Sequence, residues 1–554
     1  MAQFVHWDDN LHIFDNPLTQ TTSPSVILSI FQSVVNKTYI PLTILSFNIE
    51  HFFFGFNPFV YHFDNFILHI FICLFIYALI SQMGLERRVA FLAAVLFGIH
   101  PMHVESVAWA TQRKDVLYTL FYILSLSQYW KYLIHRRNRF YIISILFGFL
   151  SILAKPMALS LPLTLLLFDW YYQGRIIKQA LLNKIPYLLV IVPVAWITYH
   201  LNARVPFTDQ SQSFLIWAWS ATFYIKKFFT PFVLLPIYEL PQPVSILNLS
   251  YISSILIFAV APFALFRFRK DRLFLFGCMF YALSTFFLWR YDDTIDVTIV
   301  GDRFMYLPSL GICLWLAHTV ETKIKDGRLF SKMIPIILVI MAALTFQQCR
   351  IWHDDISLWN HEIKYEQHSA LSYNSRGVAL SKRNDNKHAL EDITKAIELK
   401  PDYTLAYYNR GHIFAKAGKL DLAFDDYNAA LTFNPKHVKS LLERGIIHSR
   451  KKEYSEALAD FDAAENLEPK NANVFNNRGI VYKQLGGFQK ALEDYNRALE
   501  LNPGLVLAFV NRANLWKEMN NYQESLKDIH QAQKLGAHIN AADLQELESL
   551  TGAK

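Results

Sequence analysis

Cysteine is scarce in this 554-residue chain, with only Cys73, Cys278, Cys313 and Cys349, and these show neither CxxC spacing nor neighbouring histidines. That argues against a disulfide framework or a zinc site and leaves the four as packing residues in or beside apolar runs. No motif calls for a metal or any other cofactor. A cleavable signal peptide is also lacking, because Met1 runs almost at once into the polar stretch Phe4-Val-His-Trp-Asp-Asp-Asn10, so later helices must direct insertion into a bilayer. Charge is sparse as far as about Phe346, whereas beyond Arg350 a charged residue appears every few positions.

What fills the sparse part is aliphatic and aromatic. Apolar residues make up 53% of the chain and aromatics 15%, too much for an ordinary soluble pair of domains, and 554 residues are too many for one core. Two solvents are implied, lipid for the first part and water for the second. The formal charge of +7 is what cytoplasmic loops of a membrane protein retain, and it adds nothing to a case for nucleic-acid binding.

A bilayer-spanning helix needs about 20 mostly apolar residues. Ten such runs occur, near 63–83, 89–108, 115–134, 139–155, 157–173, 185–202, 251–268, 273–290, 304–321 and 332–348. Cationic clusters separate several of them: Glu86-Arg87-Arg88, residues 135–139, 175–184 and 267–272, and residues 323–332. The excess of Lys and Arg in cytoplasmic loops places these clusters inside. The segment up to about residue 62, the 100–115 region, 203–213, 290–303 and everything after the last span then face outside. The apolar stretch 214–236 carries Lys226-Lys227 and is broken by Pro231 and Pro236, which suits a re-entrant or interfacial segment.

The polar part repeats. Proline recurs at Pro401, Pro435, Pro469 and Pro503, and an Arg-Gly pair at Arg376, Arg410, Arg444 and Arg478, with Arg512-Ala513 completing a series of period 34. That is the tetratricopeptide period. Small residues mark where paired helices approach, in the columns Ala389, Ala423, Ala457, Ala491, Ser525 and Ala396, Ala430, Ala464, Ala498, Ala532. The boundaries expected are an outer loop 1–62, a membrane domain 63–349, a linker helix 350–369, five repeats over 370–537, and a capping helix and tail over 538–554. The fold class is all-α. On the concave face one column reads Ser375, Asn409, Glu443, Asn477 and Asn511, and an asparagine ladder can pair with the backbone of an extended peptide without reading its side chains. Asn409, Asn477 and Asn511 are therefore candidates for binding a protein or peptide; as solvated polar positions they would need no ligand.

Charged side chains near membrane depth are costly and tend to mark function. Here they gather on the outer side: Asp8 and Asp9; His100, His103, Glu105, Arg113, Lys114 and Asp115; Lys155; Asp302 and Arg303. Each group alone could cap a helix or anchor an interface. Together they offer carboxylates for proton transfer and cations for a phosphate.

Trp7-Asp-Asp-Asn10 with Asp15-Asn-Pro17, Pro41-Leu-Thr-Ile-Leu-Ser-Phe47, Tyr61-His62 with Asn65 and His69, His100-Pro-Met-His-Val-Glu-Ser-Val-Ala108 with Arg113-Lys-Asp115, and Asp302-Arg-Phe-Met-Tyr-Leu-Pro-Ser309 carry a resemblance. In this order, and followed by the repeats, they resemble the transmembrane and tetratricopeptide repeat-containing O-mannosyltransferases and their bacterial relatives. The resemblance implies a C-type glycosyltransferase fold of about eleven spans, facing the periplasm or the endoplasmic reticulum lumen, with the bacterial inner membrane preferred. It implies a polyprenyl-phosphate sugar donor, and an acidic base in the first outer loop, which falls on Asp8 or Asp9. Donor-phosphate candidates are Arg113, Lys114, Lys155 and Arg303, with His100, His103, Glu105, Asp115 and Asp302 lining the site. Relatives carry a spanning helix before the Asp-Asp loop, so the ten runs would be helices two to eleven of a longer start, and Ile40 stands where relatives tend to carry His or Arg. The expected activity is transfer of a hexose such as mannose to a protein hydroxyl. The alternative is a non-catalytic membrane scaffold that assembles proteins on its repeats.

Overall fold

The protein is described here by a computed structural model covering residues 3–5, 7–36, 38–201, 210–289, 300–324 and 328–551. It divides into two compact units, residues 1–367 and 368–554. Both are helical, and among the described residues the β-pairing is limited to two isolated bridges, Val35 with Thr38 and Tyr238 with Val300. All-helical construction suits the first unit, because a helix satisfies its backbone polar groups internally where lipid cannot.

Among the described residues, four helices of the first unit are long and apolar enough to cross a bilayer: Pro58–Gln82, Lys178–Thr198, Leu249–Arg267 and Met333–Ile351. The chain is thus an integral membrane protein. Arg87–Gly98 and Pro101–Ala108 make a fifth span only as a pair bent by 56°, and Asn138–Ala154 and Arg272–Leu288 are apolar but shorter. Of the ten expected spans, the described residues therefore give four helices, or five with the bent pair, that are long and apolar enough to cross. Arg113–His135 has the length, at 23 residues, but it carries polar residues and is buried along most of its sides, so it packs against helices more than lipid. Gln210–Phe229 is a continuous 20-residue helix whose middle, from Ala218 to Tyr224, is largely buried. Residues 202–209 and 290–299, the bulk of two expected outer loops, lie outside the described residues.

The expected outer loop 1–62 is corrected by the structure, which folds it into short helices Pro17–Gln20, Pro24–Gln32 and Pro41–Phe54. Each begins with proline at its first position, where the missing N–H costs nothing and the fixed φ suits the helix. Side chains of Asn16 and Ser23 cap the first two. Gly55 stops the third at φ 61°, ψ −156°, a conformation that only glycine adopts readily. The 350–369 segment is likewise more than a linker: Asp355–Tyr365 buries Leu358, Trp359 and Glu362 within the first unit. Cys313 is buried and Cys73 and Cys278 half-buried, but Cys349 is exposed, so packing does not account for it.

The second unit is five helix pairs, from Ala370–Lys382 with Asn386–Leu399 to Val506–Glu518 with Tyr522–Lys534, followed by Ala541–Thr551. The Arg-Gly series explains itself in three dimensions. In every repeat the arginine grips an aspartate 16 residues later with Nε and Nη2: Arg376 to Asp392, Arg410 to Asp426, Arg444 to Asp460, Arg478 to Asp494 and Arg512 to Asp528, at 2.6–3.0 Å. Such forked pairing fixes geometry as well as adding energy. The following glycine lets the second helix close in, since a Cβ on Gly411, Gly445 or Gly479 would lie 2.7–2.9 Å from the ring of Tyr427, Phe461 or Tyr495. The third nitrogen reaches backward. Nη1 of Arg410, Arg444, Arg478 and Arg512 donates to Thr394, Asn428, Asp462 and Asn496 in the preceding repeat.

Candidate functional site

The outer residues expected to form a site divide into those the fold consumes and those it leaves facing one another. Between the bent pair and the Arg113–His135 helix, the chain makes a tight 3-10 turn over Ala110–Gln112. Asp9 is pinned to this turn. One of its carboxylate oxygens accepts the Thr111 N–H at 3.0 Å and the Thr111 hydroxyl, and the other accepts the Val5 N–H at 2.9 Å. Asp9 is fully buried, and burial pushes its carboxyl up to about 7 against the opposing pull of these hydrogen bonds.

Arg113 is consumed as well. Its Nε donates to Asn65 and Nη2 to the Tyr61 carbonyl at 2.9 Å, Nη1 pairs with Glu50 at 2.7 Å, and the guanidinium lies over the Phe47 ring. It ties Pro41–Phe54, Pro58–Gln82 and its own helix together, is only 2% exposed and has its charge met by Glu50, so the structure uses it as a tie between helices and not as the expected phosphate ligand. His100 donates Nε2–H to the Phe228 carbonyl at 3.1 Å while its Nδ1 accepts the Met102 N–H, and its ring stacks on Phe228. His103 bonds the Phe97 carbonyl at 2.6 Å and Ser309 at 2.9 Å. Both histidines are buried and serve packing instead of lining a site. Asp302 accepts the Tyr238 hydroxyl at 2.9 Å, and burial, reinforced by Glu105, holds its carboxyl well above the usual range.

The rest converge. Lys114 lies 3.9 Å from Asp8, and both are partly exposed. Lys155 pairs with Asp115, and Arg303 takes both oxygens of Glu105, through Nη1 at 2.6 Å and through its backbone N–H at 2.8 Å. Lys155 and Arg303 flank the same Phe304 ring at 5.3 and 4.8 Å, and Lys114 sits in the field of Asp8, Asp115 and Arg303. Lys114 and Arg303 thus lie in the field of the partly exposed Asp8 carboxylate, and Lys155 lies in the field of those two cations. Arg303 and Lys155 are already neutralised by single acids, while the long Asp8–Lys114 contact is the loosest pair.

Sequence reasoning missed an aromatic wall beside this cluster. Trp7 stacks on Trp109 at 4.9 Å, Trp109 on Trp352 at 5.4 Å, and Trp359 meets Trp7 edge-on at 5.4 Å. Trp352 and Trp359 come from the segment expected to be a linker. Their common signal was composition alone, tryptophan in segments far apart in sequence.

In the second unit the candidate asparagines bond to asparagines one position before the column, Asn374 and Asn476. Asn409 donates to Asn374 and Asn511 to Asn476, both at 2.9 Å, and Asn476 donates to Asn477 at 3.2 Å. All three candidates are half-buried.

Tetratricopeptide repeat models match residues 370–403, 404–437 and 472–505, and a TPR repeat model matches 449–486. A Caenorhabditis elegans protein named Protein O-mannosyl-transferase F38B6.6 is 24% identical over 434 residues, 72% of this chain and 60% of that protein. An alignment of that length must run through the membrane unit as well as the repeats. The chain is a relative of the transmembrane and tetratricopeptide repeat-containing O-mannosyltransferases. Mouse Protein O-mannosyl-transferase TMTC3 is 22% identical over 66% of this chain and 45% of its own length, and mouse TMTC1 is 36% identical over 23% and 14%. The chain spans 60% or less of the length of these relatives. A Pseudomonas aeruginosa pilF structure is 23% identical with a TM-score of 0.31, covering 33% of this chain and 85% of that one.

Proposed function

We propose that this chain is a membrane glycosyltransferase that moves a hexose from a polyprenyl-phosphate donor to a hydroxyl of a protein held by its repeats. The observation that carries the reading is the partly exposed Asp8 carboxylate facing Lys114 in the field of Arg303, with Lys155 close to both cations. The names borne by the relatives agree with it.

In this reading Asp8 removes the acceptor hydroxyl proton while that oxygen attacks the anomeric carbon, and the bond from that carbon to the phosphate oxygen breaks in the same displacement. The phosphate leaves with the bonding electron pair and is met by Lys114 and Arg303, whose charges act in a partly water-excluded site. Asp9 positions the loop through Thr111 and Val5, and Asp115 and Glu105 hold Lys155 and Arg303 in place. Asp8 and the repeats would face the same side of the membrane, opposite the 135–139 loop.

The test is donor turnover. Purified chain is incubated with a panel of polyprenyl-phosphate sugars, and release of polyprenyl phosphate is measured for the parent and for Asp8→Asn. Turnover by the parent that is lost in the variant supports the reading. A parent that captures proteins on its repeats yet turns over no donor would make it a scaffold.

A further inference from the structure

The tryptophan wall has one member unlike the others. Trp109, Trp352 and Trp359 are buried, with 1–2% of their surface exposed, as expected of core residues, whereas Trp7 is only half-buried. One face of Trp7 is backed by Trp109, whose ring plane is inclined to it by 17°, and Trp359 closes its edge at 61°. The indole is thus held rigidly by other indoles while part of it stays open. Trp7 directly precedes Asp8 in the chain, and the Arg303 guanidinium lies 5.9 Å over the Trp109 ring that backs it. The indole N–H of Trp109 has no hydrogen-bond partner among the described residues, which adds a buried donor next to this surface.

A hexose has one face lined with C–H groups, and a rigid aromatic face matches it, contributing apolar contact at low entropic cost because the ring is already fixed. With the acceptor oxygen at Asp8 and the donor phosphate at Lys114 and Arg303, the sugar lies between them, beside Trp7. We infer that Trp7, locked by Trp109 and Trp359, is the platform on which the hexose ring of the donor rests. This rests on the glycosyltransferase reading above and adds to it the residue that recognises the sugar as distinct from its phosphate.

The experiment uses the full chain in detergent with mannose 1-phosphate and glucose 1-phosphate as soluble probes of the donor head group. Saturation-transfer NMR, irradiating aromatic protons, reads contact with the sugar C–H groups, and a titration gives Kd. The parent is expected to transfer saturation to the ring protons of at least one probe, and inorganic phosphate in excess should displace it. Trp7→Phe should stay within about threefold of the parent Kd, while Trp7→Ala should weaken binding about tenfold with the inorganic phosphate affinity unchanged. Should Trp7→Ala fail to fold, Trp7→Leu replaces it, keeping bulk without an aromatic face, with the same loss expected. Parent-like probe binding in Trp7→Ala or Trp7→Leu, alongside weakened binding in Lys114→Gln, would overturn the platform and leave the glycosyltransferase reading standing. A parent that binds neither probe but turns over a lipid-linked donor would overturn the platform alone. Absence of both binding and turnover would overturn both.

Discussion

The Asp9 carboxylate accepts both the backbone N–H and the hydroxyl of Thr111, a residue 102 positions away. This separates two neighbouring acids that sequence alone leaves equivalent. Asp8→Asn should leave yield and melting unchanged and lower turnover by about 100-fold or more, the loss expected of a general base. Asp9→Asn should instead lower thermal stability, because the new amide presents N–H to the Val5 N–H, and Thr111→Val should lower it too. Full turnover by Asp8→Asn in a preparation where the parent is active would move the base elsewhere, with Glu105 or Asp115 next in line.

The repeat unit predicts an inversion of ordinary helix preferences. Alanine favours a helix over glycine by up to about 1 kcal/mol, yet Gly445→Ala should destabilise, since its Cβ would meet the Phe461 ring at 2.8 Å and overpacking costs about 1–3 kcal/mol. Arg444→Met should lose about 1.5–3 kcal/mol through the unpaired Asp460. Chemical denaturation of the full chain, followed through the repeat transition, measures both. A stabilised Gly445→Ala would contradict the close approach described here.

The repeats were legible and the membrane site only partly so, for one physical reason. Each core contact of the repeats recurs every 34 residues, so Arg410 and Ala423 announce themselves by repetition although neither is distinctive alone. The Arg410–Asp426 grip went unread because an Arg-Gly pair shows its period but not its partner. Arg113 occurs once. Its charge is visible in sequence, but the partners that absorb it, Glu50, Tyr61 and Asn65, come from earlier helices and are ordinary there. The helices before residue 62 were hidden because short segments lack the length by which a span is recognised.

Replacing Asn409, Asn477 and Asn511 together by alanine should weaken acceptor binding while the array stays folded. The variant removes the bonds to Asn374 and Asn476, so a stability loss of about 1 kcal/mol per bond is expected, well short of unfolding. Parent-like acceptor affinity, measured by titration calorimetry, would reduce the column to a solvated surface.

Topology is tested by single cysteines in a variant lacking the four native ones. Lys419→Cys should react with a membrane-impermeant thiol reagent added from outside and Arg137→Cys should not, because cationic loops stay in the cytoplasm. The reverse pattern would invert the arrangement and place Asp8 on the wrong side for the proposed chemistry.

Glu362 gives a pH signature. Burial pushes its carboxyl from the ordinary 4.5 up to about 9, so the folded chain keeps a proton that the unfolded chain releases between these values. Its contribution to stability therefore falls as pH rises from about 4.5 to 9. Glu362→Gln carries no such proton, and its melting temperature should exceed that of the parent by a margin that widens with pH across this window. Parallel curves from pH 5 to 9 would show that the side chain titrates normally.

The backward reach of Nη1 in Arg410, Arg444, Arg478 and Arg512 means that four links of the same kind, each 16 residues upstream, join consecutive repeats along one edge. Side chains that bridge at equal intervals set the pitch of the array as rungs set the spacing of a ladder. Tension applied at either end would load these links in series, and the neutral Thr394 contact at 3.3 Å would yield before the charged Asp462 contact at 2.6 Å. A polypeptide lying along the array would meet a ruler with fixed divisions, and be sorted by the spacing of its own contact points.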